Sequence, residues 1–97
     1  MAKAYWINTL RSVSDPDKLA RYVELAGPAM TASGGRFLAR GMPAAAFEAG
    51  IVARTTLIEF DSVDQALATY NGPAYQAALD ALGDGAVRDI RIIEGTT

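Results

Sequence analysis

The sequence predicts an α+β fold whose elements run β-α-β-β-α-β. Three observations carry this: four short runs rich in aromatic and β-branched residues, two longer stretches with apolar residues at helical spacing, and a cap, glycine or proline signal at the junctions. Elements alternating in this order make one four-stranded antiparallel sheet, and right-handed crossovers place the two helices on the same face.

Ala4 to Leu10 (AYWINTL) is a nearly continuous apolar and β-branched run, expected as a central strand. Asp15-Pro16 opens a helix, with the Asp15 carboxylate as N-cap and Pro16 at the first helical position. Leu19, Tyr22, Val23 and Ala26 form one helical face. Pro28 removes a hydrogen bond to the Glu24 carbonyl, which predicts a kink or an end near Gly27 with helix resuming through Met30. Gly34-Gly35 closes the element. Gly35 to Gly41 (GRFLARG) alternates Phe37 and Ala39 against Arg36, Leu38 and Arg40. Met42 to Gly50 is too long for a tight hairpin and reads as an arm. Ile51 to Phe60 sets Ile58 and Phe60 opposite Thr55, Leu57 and Glu59. Ser62 and Gln65 make a capping-box pattern for a second helix, broken at Asn71-Gly72-Pro73 and restarted at Pro73, with Tyr75, Ala78, Leu79 and Leu82 on one stripe. Val87 to Glu94 is the last strand, with Ile90 and Ile92 opposite Asp89, Arg91 and Ile93.

At 97 residues, with 51% hydrophobic and 21% charged side chains, the chain is expected to form a single domain over residues 1–97. No apolar run approaches a membrane span, and a cytoplasmic location is the default. A net charge of −2 offers no basic field for nucleic acid. Cysteine and histidine are both absent, which excludes thiolate chemistry and disulfides and removes the commonest transition-metal ligand. No metal and no cofactor is expected. Chemistry must rest on carboxylates, arginine, tyrosine, amides or the substrate itself.

Both helices cover one face of the sheet, the face of Phe37, Ile58, Phe60, Ile90 and Ile92. The opposite face mixes Leu38, Leu57 and Ile93 with Arg36, Arg40, Thr55, Glu59, Asp89 and Arg91. It is too apolar for free solvation and too charged for a sealed core, so a second copy is expected to pack there as a homodimer. For the first strand, either Tyr5, Ile7 and Thr9 or Trp6, Asn8 and Leu10 face that side, and period two leaves both open.

The stretches Ala4-Tyr5-Trp6-Ile7, Asp15-Pro16, Gly34 to Gly41, Ile58-Glu59-Phe60, Tyr75-Gln76-Ala77-Ala78 and Glu94-Gly95 resemble domain-of-unknown-function family 1330, of the dimeric α+β barrel superfamily. The resemblance runs nearly end to end and implies a ferredoxin-like monomer whose sheet packs against its twin. It implies no reaction. Relatives at superfamily distance resemble cofactor-free monooxygenases, haem-degrading enzymes and muconolactone isomerases, which place small organic substrates in a cleft beside each sheet. Asp61, Gly72 and Ala74 depart from the pattern, where proline, serine and glutamate are usual.

By alternation, Arg40 and Glu59 share a face of neighbouring strands and are the candidate catalytic pair, Glu59 as proton acceptor and Arg40 as oxyanion stabiliser. Tyr5, Asn8, Arg40 and Tyr75 are the candidate ligand-binding residues, weighed against an interface ion pair for Arg40 and Glu59 and core packing for the others. The expected function is binding of a hydrophobic organic acid or quinone-like compound in a cleft between sheet and partner. The alternative is a cofactor-independent monooxygenase or isomerase acting on such a compound.

Overall fold

The computed structural model describes residues 2–97. Its elements are β1 (Ala4–Val13), α1 (Pro16–Ala32), β2 (Arg36–Gly41), β3 (Thr55–Phe60), α2 (Val63–Asn71), α3 (Pro73–Leu82) and β4 (Ala86–Glu94). The four strands pair antiparallel in the order β2-β3-β1-β4, a ferredoxin-like sheet with the helices on one face. The molecule is a slab, 39 × 36 × 16 Å, so the sheet's second face has no layer over it. Among the described residues no helix is long and apolar enough to cross a membrane.

The caps act as their residue types predict. Asp15 accepts from the backbone N–H groups of Asp17 and Lys18, Ser62 accepts from that of Gln65, and Pro73 opens α3. The expected interruption of α1 does not occur: one helix runs through Pro28. The turn beyond the proline carries Ala29 and Met30, both buried, and that packing offsets the one missing hydrogen bond. The second crossover is two helices, because Gly72 leaves helical geometry between α2 and α3.

Trp6, Phe60 and Tyr75 are the largest fully buried side chains. Trp6 and Tyr75 meet edge to face at 5.1 Å between ring centroids, and Tyr22 meets Tyr75 likewise at 6.0 Å. Each fully buried large apolar side chain stabilises the fold by about 1.5–3 kcal/mol. α1 packs chiefly on α3, while α2 lies on the strands. The sheet next to α1 is therefore not closely covered, and a cavity opens there.

Candidate anion cavity

The inner face of the sheet, the one towards the helices, is built in rows by the strand register. Trp6 pairs with Ile58 and Ile92, and Ile58 with Phe37, which makes an apolar row. The next row is polar: Asn8 pairs with Thr56 and Ile90, and Thr56 with Arg40. In the third, Leu10 pairs with Arg88 on one side, and on the other its N–H donates to the Arg54 carbonyl at 2.9 Å. The face grades from aromatic to cationic over three rows.

Above these rows lies a cavity of about 130 Å³, roofed by Tyr22, Val23, Ala26, Gly27 and Met30 of α1. That volume is close to the roughly 150 Å³ that houses benzene in an engineered apolar site. Arg40, Arg54 and Arg88 all line it, and its lining contains no Asp or Glu. None of the three is in an ion pair among the described residues. Two wider grooves, between α3 and β4 and beside the start of the arm, are more open and gather fewer polar groups.

Arg40 lies over the Phe37 ring, 4.6 Å from its centroid, which holds the guanidinium at the cavity edge. Arg88 is held more tightly. Its Nη1 donates to the Tyr22 hydroxyl at 2.6 Å and to that of Tyr75 at 3.2 Å, and its guanidinium stacks on the Tyr22 ring at 4.4 Å. Burial pulls the Arg88 pKa down, but the tyrosine oxygens, Tyr22 foremost, more than offset this, and the net direction is up. Burial, followed by the neighbouring Tyr22, pushes the Tyr75 phenol well above its ordinary value. The Tyr22 and Tyr75 hydroxyls are 2.7 Å apart. Either hydroxyl of this pair can be the donor; Tyr75 has no solvent exposure, and Tyr22 is the one of the two that lines the cavity. Asn8 also lines the cavity, and its Oδ1 is buried without a hydrogen-bond partner.

The predicted site residues divide between the two faces. Arg40 and Glu59 do not share a face, which corrects the alternation argument. Leu38 is the extra residue of a β-bulge, so Arg36 pairs with Glu59 but Arg40 pairs with Thr56 and turns inward. On the open face Glu59 accepts from Arg36 Nε at 2.9 Å and from the Tyr5 hydroxyl at 3.3 Å. The first strand resolves with Tyr5, Ile7 and Thr9 outward and Asn8 inward. Tyr75 backs Tyr22 rather than lining the cavity. This cavity lies between α1 and the sheet of the same chain.

Arg54, Arg88 and Tyr22 were not among the predicted site residues, although the sequence carried a signal for the arginines. Period two puts Arg88 in line with Ile90 and Ile92, and Arg54 in line with Ile58 and Phe60. An arginine on the apolar phase of a strand marks either a rim or a site. Among the described residues no group of His, Cys, Asp and Glu stands where it could hold a metal.

The sequence model of the family described as Domain of unknown function (DUF1330) matches residues 3–96. No curated protein matches the chain in sequence. Among solved structures, a protein of unknown function from Rhodopseudomonas palustris is similar with a TM-score of 0.72 at 17% identity, over 99% of this chain and 84% of that one. A dimeric ferredoxin-like protein of unknown function from Thermobifida fusca gives 0.66 at 18% identity, over 97% and 92%. SnoaB, a cofactor-independent oxygenase from Streptomyces nogalater, gives 0.69 at 8% identity, over 100% and 96%. At these identities the likeness is one of fold.

Proposed function

This chain belongs to the DUF1330 family, and we propose that it binds a small, flat organic anion in the cavity between α1 and the sheet. One observation carries the reading: three arginines converge on a ring-sized space that contains no carboxylate to neutralise them. Phe37, Met30 and Ile58 supply the apolar end for a ring, and the arginines supply directed donors for an acid group. Titration with benzoate, followed by calorimetry and by the fluorescence of Trp6, tests it. Binding should weaken about tenfold, or ~1.4 kcal/mol, in the Arg40→Ala/Arg54→Ala double variant, and should weaken with added salt. Equal binding by that variant, or no binding of any aromatic acid, would remove the reading.

A catalytic reading has one observation in its favour, the Tyr22 hydroxyl. Together with Arg88 it suits stabilisation of an oxyanion developing on a bound acid or quinone-like compound, as in a cofactor-independent oxygenase or isomerase. The fold likeness to SnoaB is consistent with this and does not extend to residues. Tyr22→Phe should then lower oxygen uptake or isomer formation while changing binding little. Glu59, ion-paired on the other face, has no part in either reading.

We also propose a homodimer formed through the open face of the sheet. The support is that Ile7, Leu57 and Ile93 stand there beyond reach of any helix of their own chain, and that a dimeric protein shares the fold.

A further inference from the structure

We propose that the anion bound in this cavity is a hydroxy acid, a one-ring carboxylate whose hydroxyl donates to Asn8 Oδ1. The inference rests on the anion-binding reading above and adds the second half of the ligand's chemistry. Asn8 stands in the polar row, directly across from Thr56 and Ile90, and neither neighbour satisfies it: Oδ1 is buried and has no hydrogen-bond partner. An unpaired buried acceptor is a cost to the fold, and any ligand that brings a donor relieves it.

The other polar side chains lining this space are the three guanidinium groups, which only donate, and the Tyr22 and Thr56 hydroxyls, which can donate or accept. A simple acid meets the donors and leaves Asn8 unpaired. A neutral alcohol does the reverse, leaving the arginines without a counter-charge. A ligand with both an acid and a hydroxyl satisfies the guanidinium groups and Asn8 together. Asn8 lies diagonally across a strand pair from Arg88, a backbone separation of about 7–8 Å in an antiparallel sheet, which suits a ligand of one ring. The cavity of about 130 Å³ leaves little room for a second ring.

Affinities of benzoate, the three hydroxybenzoates and the corresponding methoxybenzoates, measured by calorimetry on the wild-type chain, test the inference. The best hydroxybenzoate should bind roughly tenfold or more tightly than benzoate, and its methyl ether, which keeps the bulk but lacks the donor, should lose that advantage. In Asn8→Leu the ratio of hydroxybenzoate to benzoate affinity should fall towards one, and Asn8→Ala serves if the leucine variant does not fold. Equal wild-type affinity for benzoate and all three hydroxybenzoates, or a ratio that survives at Asn8→Leu or Asn8→Ala, would overturn the hydroxy-acid assignment and leave the anion site standing. Failure of every acid to bind would overturn both.

Discussion

Glu59 takes its ionisation state from Arg36, its partner on the adjacent strand. Its carboxylate is held below the usual range, first by the hydrogen bond from Arg36 and to a lesser degree by that from Tyr5. Asp61, bonded to Lys3 and then to Arg36, is lowered as well. The folded chain therefore binds fewer protons than the unfolded chain just below the ordinary carboxylate pKa of 4.5. The pair's contribution is fully present above that pH and is lost as pH falls through the lower folded value. In Arg36→Gln, urea midpoints should fall below wild type at neutral pH and converge with it in acid; parallel curves at all pH values would show that the pair contributes nothing. The effect should be small, since the guanidinium is partly solvated. Arg40 was assigned this carboxylate from alternation alone. The bulge at Leu38 moved it, and nothing in Phe37-Leu38-Ala39 marks a bulge, which needs only one unpaired residue of any type. Asn8 was legible as a candidate, but its unpaired oxygen was not, because satisfaction depends on what stands across the sheet.

At the scale of elements, the connections were the most readable part of the chain, and their chemistry is open to test. Asp15→Ala removes the acceptor for two helical N–H groups and should cost about 1 kcal/mol. Gly34→Ala should cost more. Gly34 has φ +89°, where a side chain is strained, and an added Cβ would strike the Gln65 amide. That amide joins two connections at once, donating to the Ser33 carbonyl at 2.8 Å and accepting from the Asp61 N–H at 3.0 Å. Gln65 was read as the far half of a capping box at Ser62. Its side chain instead reaches one residue further back and across to the end of α1. Chemical denaturation of both variants should place the Gly34→Ala midpoint below that of Asp15→Ala, and the reverse order would mean that Gln65 yields freely. The strand and helix order came through from periodicity because each element buries one face. The continuity of α1 through Pro28 did not, since local sequence registers the missing hydrogen bond but not the burial of Met30 that outweighs it.

The two sides of the sheet are built differently. One side of the sheet carries the helices and the cavity, and the other carries Ile7, Leu57 and Ile93 among Arg36, Glu59, Asp89 and Arg91. The sequence located the second face as the one no helix reaches, but it did not show the cavity under α1, because periodicity distinguishes faces and cannot see a gap left between a helix and a sheet. Because the two sides are separate, the proposed assembly and the proposed ligand binding are expected to be independent. The wild-type chain should sediment as a dimer at micromolar concentration, and Leu57→Glu, which puts a charge at the centre of the open face, should sediment as a monomer. Ile93→Glu is the companion variant: Ile93 is 57% exposed in the single chain, so a charge there burdens the dimer and not the fold. Because neither residue lines the cavity, the monomeric variants should bind benzoate with the affinity of the dimer. Binding that disappears with the dimer would return the ligand to the space between two sheets. A wild-type monomer would instead leave the open face of the sheet without its proposed partner.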